Sequence, residues 1–169
     1  AGRRRVGTQK KRGAKAKKRA ARVNLLTKRR VAAKIVYKAG VAPQGEWGDE
    51  AQGAAPSAVA LARSRAVACI PSMGTKACTA TSLAWTSGTD AAPAVKLHLT
   101  QVQTWIRLWN GFNGKLKKES RQMWTRAHPH LLLVPQPWRR VAGPAAATIA
   151  TLASAGWAPV QADAWATPD

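Results

Sequence analysis

A dense block of positive charge opens this chain and constrains its fold more than any other feature. Residues 1–38 contain sixteen Lys or Arg and neither Asp nor Glu, and the first carboxylate is that of Glu46. The chain of 169 residues has a formal net charge of +21, so most of its excess charge lies in this block. Because such a block repels itself unless something anionic neutralises it, the sequence predicts a polyanion as partner.

Nucleic acid is the polyanion that we expect. Duplex nucleic acid carries about one negative charge per 1.7 Å of its axis and releases counterions when Lys and Arg approach its phosphates. Phosphate contacts carry no sequence information, so the predicted function is sequence-independent binding of RNA, DNA or their hybrid. The predicted contacts are the cations of the block and two that follow Pro137, namely Arg3, Arg4, Arg5, Lys10, Lys11, Arg12, Lys15, Lys17, Lys18, Arg19, Arg22, Lys28, Arg29, Arg30, Lys34, Lys38, Arg139 and Arg140.

The basic block is also compatible with a solvated tail that has no specific partner. A helix on a membrane surface would need bulky apolar residues opposite its basic face, and between Gly2 and Arg22 only Val6 is apolar and larger than alanine. The sequence has no run of about 18 apolar residues and no secretory signal. We therefore expect no membrane partner and no secretion, but an intracellular protein of the nucleus or of a ribonucleoprotein particle.

The pattern of apolar residues predicts a mainly α-helical fold. We expect a small helical bundle with a basic N-terminal arm and helix, and with a short hairpin at the C-terminus. The expected divisions are a flexible basic arm over residues 1–13, a basic amphipathic helix over 14–40 and a Trp-rich helical domain over 41–169. The helix begins where the composition turns to Ala, Lys, Arg and Leu, which are good helix formers.

The basic helix has an apolar face and a cationic face. Leu25, Ala32 and Val36 share one face, which we expect to turn inward. A cationic row on another face comprises Arg30, Lys34 and Lys38. Gly40 is the expected C-terminal stop of the helix. A connector rich in Gly and Pro follows, and we expect Trp47 to anchor it.

Further helices are predicted along the Trp-rich domain. Their expected ranges are 57–69, 80–85, 90–111, 115–127 and 144–156, followed by two short strands over 157–160 and 164–167. Asp90 is the expected N-cap of the most regular of these helices. Its expected core face comprises Val95, Leu99, Val102, Ile106 and Trp109. In the helix after it, Leu116 and Trp124 are expected to face inward.

Candidate catalytic or metal-binding residues are few. Cys69 and Cys78 are separated by eight residues, wider than the spacing of a zinc knuckle, and His128 and His130 lie in a stretch bounded by prolines. The three acids within 46–50 suit helix caps or pairing with the basic helix better than holding two metal ions. We therefore predict no catalytic residue, no metal and no cofactor. A small enzyme that uses either cysteine with a histidine stays an alternative.

The eight tryptophans suggest stacking on bases, but their spacing favours a structural role. Trp105, Trp109 and Trp124 fall at helical spacing among Leu and Ile, so we expect them to pack in the core. Trp138 differs, because it stands beside Arg139 and Arg140 after a proline. Partial exposure next to a phosphate is therefore an alternative to core packing for this residue.

Three segments of the sequence carry a resemblance to a known family. The first is the basic stretch from Gly2 to Arg30, and the third runs from Trp138 through Gly156 to Trp165. The second is Gly40-Val-Ala-Pro43-Gln-Gly-Glu-Trp47-Gly48-Asp-Glu50, which has a proline, three residues, an aromatic, glycine, one residue and glutamate. Together they resemble the region that follows the catalytic palm in reverse transcriptases of non-LTR retroelements.

The resemblance implies a role without catalysis. The chain would be the thumb and connection region, a fragment between the polymerase and a ribonuclease H-like domain, and it would grip the template–primer backbone. The aromatic-Asp-Asp motif of the polymerase is absent, so no catalytic residue is carried over and the chain is not an enzyme by itself. Composition fits two alternatives: a basic structural protein of a ribonucleoprotein, such as a ribosomal protein, and a chromatin-binding protein.

Overall fold

The chain is mainly α-helical, as the sequence predicts. The structure, a computed structural model, describes residues 7–27, 33–70, 78–89 and 92–167, leaving the side chains of Thr27, Ala33, Lys34 and Ser87 undescribed. The helices are α1 (Gly7–Thr27), α2 (Ala33–Val36), α3 (Ala42–Glu46), α4 (Asp49–Gln52), α5 (Pro56–Ala68), α6 (Thr79–Ser87), α7 (Pro93–Gly111), α8 (Gly114–Leu132) and α9 (Gly143–Ser154). A π-helical turn (Tyr37–Val41) joins α2 to α3, and a 3-10 turn (Pro137–Arg139) precedes α9.

Two compact units divide the described residues. The N-terminal unit comprises those of 6–47 and 55–97, and the C-terminal unit comprises those of 48–54 and 98–169. The chain crosses between the units at residues 47–48 and 54–55, and again within α7 after Leu97. These divisions differ from the predicted ones, since α1 begins at Gly7, within the arm expected over 1–13, and no unit boundary falls at residue 40.

In the N-terminal unit, α1 packs against α3 and α5 through small side chains. Ala16, Ala20 and Val23 recur on one helix face and are all buried, in a core that also contains Tyr37. The helices approach closely because the facing residues are small: a Cβ built on Gly45 of α3 would lie 3.2 Å from the Cβ of Ala16. The most basic helix of the chain is therefore anchored by a narrow stripe of small residues, with half-buried residues such as Arg12 and Gly13 beside it.

The larger apolar residues at the end of α1 and in α2 are exposed. Leu25 is 67% exposed and Val36 is 47% exposed, so the prediction that they turn inward is wrong. The helix buries its alanine stripe instead, which lies on a different face. Ala32, the third residue of the predicted apolar face, lies outside the described residues.

Residues 33–46 form one continuous helix with a widened middle turn. The N–H of Ala42 donates to the carbonyl of Tyr37, five residues earlier. The next residue, Pro43, has no N–H, and its ring would clash with the carbonyl four residues before it in a regular α-helix. A π-helical turn at this point accommodates the proline without ending the helix. Gly40 lies inside this turn, so the predicted helix end at Gly40 is wrong and the helix runs on to Glu46.

In the C-terminal unit, α7, α8 and α9 pack around tryptophan side chains. Trp105 and Trp124 are buried, as predicted, with ring centroids 5.5 Å apart. Each indole N–H donates to a carbonyl of the segment after α9: Trp105 to Ala162 O at 2.7 Å and Trp124 to Pro159 O at 3.1 Å. These bonds satisfy the polar end of each ring inside the core and fix the C-terminal segment against it.

The buried face of α7 differs from the predicted one. Val95, Leu99 and Ile106, expected in the core, are each more than two-fifths exposed, whereas Gln101 and Trp105 are almost fully buried. The Nε2 of Gln101 donates to Thr148 Oγ1 at 3.0 Å, whereas its buried Oε1 accepts no hydrogen bond from the described residues. The prediction considered apolar residues only. Because the buried face contains Gln101, which is polar, the prediction placed the core face on the wrong side of the helix. The expected N-cap, Asp90, lies outside the described residues.

The C-terminal half confirms some predicted elements and corrects others. α9 matches the helix expected over 144–156. α8 continues through Pro129 to Leu132, and Leu116 of this helix is exposed rather than inward. Of the two expected strands, the described residues retain one antiparallel bridge, between Ala158 and Ala166. No helix among the described residues has the length and apolarity needed to cross a membrane.

Candidate nucleic-acid interface

The exposed surface of α1 carries a continuous row of cations. Lys11, Lys15, Lys18 and Arg22 recur at helical spacing on the face opposite the buried alanine stripe, and each is exposed. We call these four residues the outer row. With a rise of 1.5 Å per residue, the outer row extends over about 16 Å of helix. An elongated row of this kind suits a polyanion with regularly spaced charges better than a single small anion.

The flanks of α1 are cationic as well. Lys10 and Lys17 lie on one side of the outer row and are exposed. Arg19 lies on the other side and is also exposed, whereas Arg12 is half-buried. All eight predicted contacts within α1 are therefore accessible at least in part.

Glu46 and Asp163 form ion pairs with cations outside α1. No acid occurs within α1, and Glu46, the first acid of the chain, pairs with Lys96 of α7 at 2.7 Å. In the C-terminal unit, Asp163 pairs with Arg121 at 2.8 Å. The cations of α1 consequently repel one another within the helix, where like charges three or four residues apart destabilise it.

Trp47 forms an exposed aromatic site next to the cations of α1. It follows α3, and its N–H donates to the carbonyl of Pro43 at 3.1 Å. Nη1 of Arg12 donates to the Trp47 carbonyl at 3.1 Å, and the Arg12 guanidinium carbon lies 6.0 Å from the centre of the Trp47 ring. Trp47 is 65% exposed, so it does not anchor the connector by burying its side chain.

The remaining predicted contacts are dispersed. Lys38 is exposed on the π-helical turn of the N-terminal unit. Arg139 and Arg140 are exposed in the C-terminal unit, beside a half-buried Trp138 whose indole N–H donates to Ser154 Oγ at 3.3 Å. Of the other predicted contacts, those outside the described residues are Arg3, Arg4, Arg5, Lys28, Arg29 and Arg30, together with the side chain of Lys34. The expected row of Arg30, Lys34 and Lys38 is therefore represented by Lys38 alone.

A second basic surface, on α8, was not among the predicted contacts. Lys118, Arg121 and Arg126 border a shallow groove on its exposed side. The Arg121 guanidinium carbon also lies 5.2 Å from the centre of the Trp109 ring, with Lys117 Nζ at 5.7 Å from the same centre. The sequence does indicate a basic surface here, because residues 115–127 contain five cations and one acid. The acid-free N-terminal block is denser in charge, and the prediction therefore favoured it.

An apolar cavity of about 240 Å³ lies in the N-terminal unit, lined by Tyr37, Cys69, Leu83 and Lys96 among others. Burial raises the pKa of the Cys69 thiol, and it raises that of the Tyr37 hydroxyl far above its usual range. Both groups are thus protonated at neutral pH and are poor nucleophiles. Among the described residues, no group of three or more His, Cys, Asp or Glu is placed to hold a metal ion.

Comparisons with protein-family models, with curated proteins and with solved structures found no match to this chain.

Proposed function

We propose that this protein binds nucleic acid without sequence preference, through the phosphate backbone and mainly through α1. The observation that carries the proposal is the outer row, four exposed cations on the face of α1 opposite its buried stripe. A helix that only packed against α3 and α5 would not need this row, because the row contacts nothing in the core and weakens the helix by repulsion. A polyanion would relieve that repulsion and release counterions.

The binding free energy would come from charge, and it would depend steeply on salt. If the four side chains of the outer row each neutralise one phosphate, the affinity for duplex falls about a hundredfold between 50 and 200 mM salt. The flanking cations would steepen this dependence further. Contacts to phosphates would weaken for all sequences alike, because no base edge is read.

The test replaces the outer row with alanine, which preserves helix propensity. The variant changes Lys11, Lys15, Lys18 and Arg22, and binding to a labelled duplex is followed by fluorescence anisotropy over a salt series. We expect the slope of log K against log salt to become shallower by about 3 to 4. An unchanged slope would show that the outer row does not bind phosphates.

A second variant separates the outer row both from net charge and from the basic surface of α8, to which the proposal assigns at most a minor contribution. Four exposed cations of the C-terminal unit, Arg107, Lys115, Lys118 and Arg126, are replaced with alanine in this variant. Both variants lose four charges, so an effect of net charge alone would weaken binding equally in the two. We expect the control variant to change the slope by less than about 1.

The resemblance to the region after a reverse-transcriptase palm leads us to propose a ligand class as well. On that proposal the preferred ligand is a template–primer, and an RNA–DNA hybrid binds more tightly than duplex DNA of the same sequence. Anisotropy titrations with the two duplexes at one salt concentration compare them directly. Equal affinities would count against the reverse-transcriptase assignment and would leave the phosphate contacts of α1 unaffected.

A further inference from the structure

We propose that Trp47 stacks on an unpaired base of a strand whose phosphates are held by the cations of α1. This inference rests on the proposed function and specifies its ligand, because a free base face is available in single-stranded nucleic acid and not inside a duplex. The ring is 65% exposed although tryptophan is among the most favourable side chains to bury.

The backbone that carries the exposed ring is held by hydrogen bonds at both its N–H and its carbonyl. Trp47 leaves the helical conformation at ψ 125°, and the following Gly48 has φ 86°, so the chain turns sharply away at this point. The Trp47 N–H is bound to Pro43 O and the Trp47 carbonyl accepts from Arg12. The Arg12 guanidinium carbon lies 6.0 Å from the ring centre, at the outer limit of a cation–π contact. The Trp47 backbone is therefore held in place by hydrogen bonds before any ligand binds, which lowers the entropic cost of stacking.

The cations that would hold the neighbouring phosphates lie on the same edge of α1. Lys15 and Arg19 follow Arg12 by three and seven residues, so they continue its edge of the helix along the axis. Both are exposed. An aromatic platform beside a basic track is the combination with which proteins bind single strands irrespective of sequence, since every base has a face on which to stack.

The experiment compares three oligonucleotides with equal numbers of phosphates: a single-stranded oligo-dT, its abasic analogue and a duplex. Wild type should bind the oligo-dT more tightly than the abasic strand. Trp47→Ala should weaken oligo-dT binding by about fivefold to a hundredfold, and Trp47→Phe should weaken it less. Neither variant should change binding of the abasic strand or of the duplex by more than about twofold.

Trp85→Ala is the matched control. Trp85 lies in the same unit, on α6, and is 82% exposed, so its removal tests whether any exposed tryptophan has the same effect. We expect it to leave all three affinities unchanged. Circular dichroism of each variant confirms that the helices persist.

Several results would overturn the inference. One is equal affinity of wild type for oligo-dT and the abasic strand, a comparison that needs no variant. Another is a loss in Trp47→Ala that is the same for all three oligonucleotides, or that Trp85→Ala reproduces. If the duplex binds with steep salt dependence while the Trp47 variants change nothing, the proposed function stands and the stacking site is refuted. If no oligonucleotide binds, both are refuted.

Discussion

Replacement of Lys15 by glutamate should stabilise the fold while weakening nucleic-acid binding. Lys15 has four cationic neighbours on the surface of α1, with Lys11 and Arg19 four residues away and Arg12 and Lys18 three residues away. Each like-charge pair at these spacings costs about 0.2–0.5 kcal/mol, and each opposite-charge pair contributes a similar amount. The substitution reverses all four pairs, which gives about 1.6–4 kcal/mol if the pairs were additive.

Screening by salt and non-additivity reduce this stabilisation. We therefore expect Lys15→Glu to raise the free energy of unfolding by about 1–2 kcal/mol at low ionic strength. The midpoint of thermal unfolding should then rise by about 2–8 °C. Circular dichroism at 222 nm in 10 mM salt measures this shift, and the gain should shrink in 500 mM salt because the charges are exposed. The same variant loses one phosphate contact, so its salt slope for duplex binding should become shallower by about 1.

Lys17→Glu is the matched control for this substitution. Lys17 is an exposed lysine of the same helix, but Gly13, Ala14, Ala20 and Ala21 occupy the positions three and four residues from it. The control makes the same change of net charge without reversing any neighbouring pair. The reasoning is refuted if Lys15→Glu is no more stable than Lys17→Glu, or if Lys15→Glu binds duplex as tightly as wild type.

Two further predictions test the packing of the chain. Backbone and side-chain hydrogen bonds, chiefly from Thr81, lower the pKa of the exposed Cys78 thiol, whereas burial raises that of Cys69. Iodoacetamide should therefore label Cys78 rapidly, with a half-maximal rate at a pH below the usual cysteine value, and fast labelling of Cys69 in the folded protein would contradict the structure. Gly53→Ala should destabilise the fold by several kcal/mol, since Gly53 has φ 66° and a Cβ there would lie 2.9 Å from the Trp138 ring. Gly88→Ala, with φ 83° and open space around it, should cost only about 1–3 kcal/mol, and equal melting midpoints for the two variants would refute the close contact.

The helical class and several helix positions follow from sequence pattern alone. α5 and α9 match their predicted ranges because each has a proline at its start, and because Pro71 follows α5 and Gly156 follows α9. The burial of Trp105 and Trp124 was likewise predictable, since large aromatic residues at helical spacing among Leu and Ile gain most by packing in the core.

The faces of the helices were harder to predict. In α7 both sides carry apolar residues, and the buried side is the one on which the Nε2 of Gln101 reaches Thr148 of α9. In α1 the buried stripe consists largely of alanine, which a search for large apolar residues passes over in favour of Leu25. Contacts between elements distant in sequence decide both cases, and periodicity within one helix does not contain that information.

The sequence predicted which segment carries the candidate site, but it did not predict how the side chains of that site are arranged. The charge count pointed to the N-terminal block, and helical spacing then defines the outer row once the buried face of α1 is known. The exposure of Trp47 and its contacts with Arg12 depend on the turn after α3. Because Trp47 lies 35 residues after Arg12, neither feature can be predicted from the sequence around Arg12. The π-helical turn beside Pro43, which carries the helix past Gly40, also had no local signal beyond the proline itself.

Lysine footprinting tests the central claim most directly, because it reports which residues nucleic acid covers. The protein is acetylated briefly with and without a saturating duplex at low salt, and each lysine is quantified by mass spectrometry. We predict that Lys11, Lys15 and Lys18 become protected while Lys115 and Lys118 keep their reactivity. Equal protection of the two sets, or no protection on α1 when the duplex is bound, would contradict the assignment of the interface to α1.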